Sequence, residues 1–237
     1  ASGGMIVVCG PTGAGKTTTL YAVLEELRRP DLSLLSVEDP VERRIESVAQ
    51  VPVDEESGRT FAVALRHALR QDPDVLMIGE MRDDTSARIA CRAALTGHLV
   101  LSTVHASHAR EAIVRIAEMG VPRYLVSATL RLVVAQRLLR RPCPQCRRKH
   151  EPTPGERQAF QAAGLAVPEW LVSAPGCSAC VSSGYQGRTG VFEVRRASGG
   201  SARAIGPDSL WLAGLERAAR GETTVAEVFA HCPEESS

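Results

Sequence analysis

The sequence predicts an α/β fold: a parallel sheet flanked by helices, followed by a small metal-stapled module and a C-terminal helical segment. Three observations carry this. Over residues 1–139, short apolar runs alternate with stretches of helical periodicity, the pattern of strands joined by crossover helices. The first of these runs leads into Gly10-Pro11-Thr12-Gly13-Ala14-Gly15-Lys16-Thr17, which matches G-x-x-x-x-G-K-[ST], a phosphate-binding loop between a strand and a helix. From Pro142 to Gly190 the chain turns to Cys, Pro, Gly and Ser and carries two C-x-x-C pairs. A loop-rich stretch that short needs a staple.

Bulk composition sets limits. The 237 residues are 44% hydrophobic and 23% charged, ordinary for a globular protein. A net charge of +1 gives no global attraction to nucleic acid or an anionic membrane. No apolar run approaches the ~18 residues of a membrane span, and no signal peptide opens the chain. A cytosolic setting is expected, where thiols stay reduced, so the seven cysteines call for an explanation other than disulfides. The phosphate-loop strand comes almost at once, so an N-terminal domain is expected to lie outside this chain.

In order, strands are expected at 5–9, 34–38, 75–79 and 99–103, with helices at 16–29, 60–70, 84–95 and 108–119. Residues 122–140 also read as helical, ending in the basic run Arg137 to Arg141. Residues 191–229 are mixed and partly helical, and 233–237 read as a frayed tail. The expected division is a core at 1–141, a cysteine module at 142–190 and a C-terminal segment at 191–237. No internal repeat is present.

The chemistry concentrates at expected strand ends. Glycines at 10, 13 and 15 let backbone N–H groups turn inward around anionic oxygens, and Leu20, Val23, Leu24 and Leu27 place the phosphates at a helix N-terminus. Lys16 would reach the β- and γ-phosphates and the Thr17 hydroxyl would ligate Mg²⁺; Pro11, Thr12, Ala14 and Thr18 complete the loop. Val75 to Gly79 is an apolar strand ending at Glu80, a carboxylate suited to the metal side of the site. An ordinary strand with a surface Glu is the competing reading. Glu38, Asp39 and Glu42 end the preceding strand, where ligands bind in open α/β sheets, and a carboxylate there can polarise an attacking water. Turn capping by Asp39 before Pro40 competes with that role. His98 and His105 bracket one strand; each is either a phosphate contact or a hydrogen-bonded structural histidine.

Cys143-x2-Cys146 and Cys177-x2-Cys180 are two knuckles able to close a tetrahedral four-thiolate Zn²⁺ site of structural type. A redox dithiol is the rival for a single C-x-x-C. Cys9, Cys91 and Cys232 have no partners in sequence, and burial is the expectation for the first two. Arg147-Arg148-Lys149-His150 is basic, but with 4% aromatics in the chain stacking partners for bases are scarce, so a solvated face is expected.

The phosphate loop, Glu38-Asp39-Pro40-Val41-Glu42, Leu69 to Asp74, Gly79-Glu80-Met81-Arg82-Asp83 and Thr96-Gly97-His98 together resemble the secretion and pilus ATPase superfamily. It holds the type II secretion ATPase GspE, the pilus assembly ATPase PilB, competence relatives and the retraction ATPase PilT. The resemblance runs nearly the whole chain, to Gly221-Glu222-Thr223-Thr224. It implies a RecA-like P-loop NTPase core that uses ATP and Mg²⁺. In it the loop is the Walker A element, residues 38–42 an Asp box with Glu42 as candidate base, Glu80 the Walker B glutamate, and His98 and His105 the His box. Arg66 and Arg70 match arginines ahead of the Walker B strand, with a solvated helix face as the alternative. Ala106-Ser107 stands where the family shows a Thr-Asn pair, and Arg43-Arg44 where an aromatic is common.

The cysteine region, with Gly184 to Gly190, looks like the tetracysteine region of GspE and PilB, which PilT-type motors lack. The resemblance therefore implies a hexameric motor at the cytoplasmic face of the bacterial inner membrane. It would be membrane-peripheral through a platform protein and make no direct contact with nucleic acid. Hydrolysis would drive assembly of a type II secretion pseudopilus or a type IV pilus, slowly where arginine fingers from an N-terminal domain are missing. A regulatory subunit that binds nucleotide without turnover, or a DNA translocase, are the alternatives.

Overall fold

The apolar run ahead of the glycine loop forms β1 (Gly4–Cys9), buried except at Ile6. In this computed structural model, residues 3–54, 56, 58, 60–198 and 201–232 are described; the tail expected to fray, 233–237, lies outside them. The loop opens α1 (Lys16–Leu27), which buries Leu20, Tyr21 and Leu24. Then come β2 (Leu34–Glu38), β3 (Ala49–Pro52), α2 (Phe61–Leu69), β4 (Val75–Ile78), α3 (Asp84–Leu95), β5 (Leu99–Val104), α4 (Ala109–Glu118) and α5 (Arg123–Thr129). Every residue of β2 and β4 is buried, as expected for parallel strands covered on both faces. A cluster built on Val8, Leu20, Leu24, Val75, Met77 and Leu101 joins α1 to the sheet.

The remaining elements are β6 (Leu130–Pro142), β7 (Arg148–His150), α6 (Pro154–Ala162), β8 (Leu171–Ser173), β9 (Tyr185–Ser198), β10 (Ser201–Ala204), α7 (Leu210–Ala219) and α8 (Val225–His231). Among the described residues the main sheet has eight strands, in the order β10-β9-β6-β1-β5-β4-β2-β3. From β6 to β3 all neighbours are parallel, while β9 and β10 pair antiparallel.

The expected helix at 122–140 is corrected: it stops at Thr129 and β6 follows. Leu130, Val133 and Leu139 suit either a helix face or a strand. Pairing with β1, at Ile6↔Leu132 and Val8↔Val134, decides for the strand, which suits the β-branched Val133-Val134. A second correction falls in the cysteine region, where α6 stands in a segment that reads as loop. Thr153 and Glu156 close a capping box around Pro154 at its start, a helix signal that the surrounding Pro and Gly obscure.

Contacts gather the chain into two compact units that interleave in sequence: residues 1–135 with 194–205, and 136–193 with 206–237. The expected linear boundaries at 141 and 190 lie within the residue ranges of β6 and β9. In the second unit β7 and β8 pair antiparallel, and α7 packs on α8. The carboxylate of Glu227, buried on α8, receives the backbone N–H of Arg140 at 2.9 Å and its Nη2 at 2.6 Å. The Arg140 guanidinium also lies 4.1 Å from the Tyr185 ring centre, and the Tyr185 hydroxyl is 2.9 Å from Thr224 Oγ1.

Candidate nucleotide site and metal centre

Parallel pairing brings the expected phosphate chemistry to one edge of the sheet. Register matches Cys9 with Val104, Ile78 with Ser102 and Val37 with Ile78. Gly10, Glu80, Asp39 and His105 therefore all leave the carboxyl ends of neighbouring strands, where α/β folds bind ligands. β5 stands between β1 and β4, so their ends lie about 10 Å apart, a span wide enough for phosphates and a metal ion.

Gly13 and Gly15 take positive φ of 78° and 84°, the left-handed region that favours glycine. Gly15 precedes α1 with no side-chain cap, and the first turn holds no acidic residue, so the positive end of the helix dipole is left for an external anion. Lys16 Nζ donates to the carbonyls of Gly10 at 2.9 Å and Pro11 at 3.0 Å, which keeps the ammonium over the loop. Thr17 is half-buried and Thr18 exposed in the same turn.

Glu80 is the hub of the opposite side. Its carboxylate accepts from Arg82 Nε at 2.6 Å and meets His105 Nε2 at 2.7 Å. Arg82 also reaches Asp39 at 3.2 Å, so one guanidinium joins the ends of β2 and β4. Its pKa is raised, chiefly by the hydrogen bond to Glu80. Asp83 caps α3 by accepting from the Ser86 N–H at 2.7 Å, and Met81 N–H bonds Thr103 O at 3.0 Å. These bonds fix the Glu80–Arg82 segment.

Glu38 behaves differently from its neighbours. It is 2% exposed and accepts from the hydroxyls of Tyr21 and Ser36 and from Gln50 Nε2. Through Tyr21 and Gln50 it braces the loop that carries Asp39 and Glu42. Asp39 and Glu42 are exposed.

His98 is placed apart from His105. It precedes β5 at the opposite edge of the sheet, a six-residue strand away from His105, about 20 Å. Its Nδ1 lies 3.0 Å from Ala93 O at the end of α3, a structural contact, so within one chain it stands apart from the phosphate loop. Arg66 and Arg70 are exposed at the end of α2, on the approach to the start of β4, and they too lie away from that edge.

In the second unit the sulfur atoms of Cys143, Cys146, Cys177 and Cys180 all lie within 4.8 Å of one another. Cys180 Sγ is 3.9 Å from Cys146 Sγ and 3.7 Å from Cys177 Sγ; tetrahedral Zn–S bonds of ~2.3 Å require about 3.8 Å. The donor set fits zinc. Burial by itself would raise the Cys180 thiol, but N–H groups of Cys177 and Gly184 and the neighbouring thiols bring it down to about 6, while burial and the other three thiols push Cys146 up to about 12. Gly176 and Gly184 make the turns possible. Both have positive φ, and a Cβ would meet Ser182 O at 2.6 Å or Ala174 O at 2.2 Å.

Residues 1–229 match the type II/IV secretion system protein family. The chain belongs to that family. It is 49% identical over 192 residues to the putative type II secretion system protein E of Escherichia coli (strain K12), which covers 81% of this chain and 38% of the relative. Type II secretion system protein E of Dickeya dadantii is 43% identical over 247 residues, 98% of this chain and 49% of the relative. The type IV pilus assembly ATPase PilB of Myxococcus xanthus is 41% identical over 245 residues, 95% of this chain and 43% of the relative. The chain thus spans less than half the length of these relatives. Among solved structures, the pilus retraction motor PilT with bound ADP matches at TM-score 0.68 and 25% identity, over 99% of this chain and 62% of that one. The Legionella pneumophila ATPase DotB matches the fold at TM-score 0.64 and 20% identity, over 97% and 60%.

Some site residues escape a reading by motif. Tyr21, Ser36 and Gln50 sit on three separate elements, and their shared partner Glu38 appears only in three dimensions. Arg82 lies within the quoted Gly79 to Asp83 stretch, but its two carboxylate partners are set by strand order. The basic run Arg147 to Lys149 is joined by Trp170 in lining a cleft of about 640 Å³, an aromatic neighbour that β7–β8 pairing supplies. Cys9, Cys91 and Cys232 are all buried.

Proposed function

We propose that this chain is the ATP-hydrolysing part of a secretion or pilus assembly motor. The observation that supports it most is the convergence on one sheet edge of the Gly10–Thr17 loop with Asp39, Glu42, Glu80 and His105. Lys16 would neutralise charge building on the transferred phosphoryl group. Thr17 and Glu80 would hold Mg²⁺, which would supply positive charge to offset that of the phosphates. Glu42, exposed beside the edge, would take the proton of the attacking water. His105, through Glu80, is suited to register the γ-phosphate. Asp39 and Arg82 would keep Glu80 aimed, and Glu38 acts as a positioning residue.

The four thiolates would hold structural Zn²⁺, closing the knuckles and leaving no open coordination position. Tetracysteine sequence favours an assembly or secretion motor over a retraction motor. By family likeness the working form is a hexamer with nucleotide at subunit boundaries, docked on an inner-membrane platform protein at the cytoplasmic face. His98, Arg66 and Arg70, remote from the loop of their own chain, are candidates for such a boundary.

The test is nucleotide binding and phosphate release by the full chain, with Lys16→Ala and Glu42→Gln beside it. Expected are loss of ATP affinity in Lys16→Ala, and retained affinity with turnover lowered at least ~100-fold in Glu42→Gln. Phosphate release equal in parent and Glu42→Gln would sink the hydrolytic reading and leave a nucleotide-binding subunit.

A further inference from the structure

The Asp-box loop is tied to the phosphate-loop helix through a buried phenol. Tyr21 lies on α1 four residues after Thr17, which puts both on one helical face. Its hydroxyl donates to Glu38 Oε2 and accepts the backbone N–H of Glu42 at 3.2 Å. Glu38 holds the rest of the loop through Gln50, whose Oε1 accepts from Ile45 N–H at 2.8 Å and whose Nε2 donates to Arg43 O at 2.9 Å. A second tie runs outside the core. Arg43 Nη1 pairs with Glu25 of α1 at 2.9 Å, and the guanidinium sits 5.5 Å from the centre of the Tyr21 ring.

We propose that Tyr21 is a positioning residue that couples occupation of the phosphate loop to the placement of Glu42. It rests on the reading of Glu42 as the base. The helix whose first turn carries Lys16 and Thr17 also carries the oxygen that binds the Glu42 N–H, so a shift of α1 on binding phosphates moves the base with it. Burial, helped by the bond to Glu38, pushes the phenol up to about 12. The proton therefore stays on Tyr21, which donates to Glu38 with one lone pair left for Glu42. Base placement at the ångström level is worth large factors in rate, whereas the phosphates are gripped by groups this relay does not touch.

Tyr21→Phe in the full chain removes the oxygen and keeps the ring. Binding of a fluorescent ATP analogue and steady-state phosphate release are measured for Tyr21→Phe, Glu42→Gln and the double variant. Expected are analogue affinity within about threefold of parent and kcat lowered ~10- to 100-fold with KM little changed. In the Glu42→Gln background the second change should cost less than about twofold, because the group it places is already gone. A parent-like kcat in Tyr21→Phe beside an inactive Glu42→Gln overturns the relay and leaves the base reading intact. Full additivity of the two changes overturns it as well. Parent-like turnover in Glu42→Gln removes the base, and the relay with it. Arg43→Ala, an exposed change that spares the buried phenol, is the companion variant: a smaller fall in kcat at unchanged affinity supports the relay, and an unchanged kcat overturns it.

Discussion

Arg82 shows how much of this site depends on one side chain. It bonds Glu80 and Asp39 at once, so the two strand ends keep their carboxylates in register through a single guanidinium whose fork suits two acceptors. Arg82→Ala should lower Mg²⁺-dependent turnover about tenfold, the usual scale for a support behind a metal ligand, with the fold intact by circular dichroism. Arg82→Lys should recover little, since one ammonium cannot reproduce the fork. Gly184 matters for the opposite reason, having no side chain. At φ 79°, with Ala174 O only 2.2 Å from a Cβ position, Gly184→Ala should cost about 1–3 kcal/mol in backbone strain. It should also release zinc at lower chelator concentration, read by competition with a chromogenic chelator.

Among elements, α8 and β6 are joined through a buried carboxylate. Burial by itself would raise Glu227, but the Arg140 bonds outweigh it and its pKa is lowered. A depressed carboxylate stabilises above its unfolded value, about 4.3, and that contribution is lost as pH falls through the lower folded value. The second unit should therefore hold at neutral pH and lose this contribution on acidification below ~4. Glu227→Gln should cost about 1.5–3 kcal/mol at pH 7 and flatten the acid limb of a pH–melting curve. The Lys16–Leu27 helix was legible from spacing and loop motif alone, and so were the strands at 34–38 and 75–78. The strand at 130–142 was not: its periodicity is ambiguous, and the hydrogen bonds that settle it come from β1, far away in sequence. The short β3 at 49–52, half-exposed at the sheet edge, carries no strong apolar alternation to announce it.

For the whole molecule, the two units are expected to answer to different ligands, nucleotide for one and zinc for the other. Chelation should unfold the zinc-stapled unit, where a structural site of this type is worth of the order of 10 kcal/mol, while the phosphate-loop unit keeps its nucleotide affinity. Differential scanning calorimetry with and without chelator, beside analogue binding, reads both. Sequence by itself determined the chemistry in hand: the Gly10–Thr17 loop, the four cysteines and the carboxylates at strand ends, because these motifs are local and their spacing is enough. Tertiary structure decided which of them work together. It set His105 beside Glu80 and left His98 one strand length away, since parallel pairing sorts residues by strand end and not by distance along the chain. It also buried Glu38 among Tyr21, Ser36 and Gln50, partners that meet only when α1, β2 and β3 pack. Long-range pairing, which a single sequence does not display, made those choices.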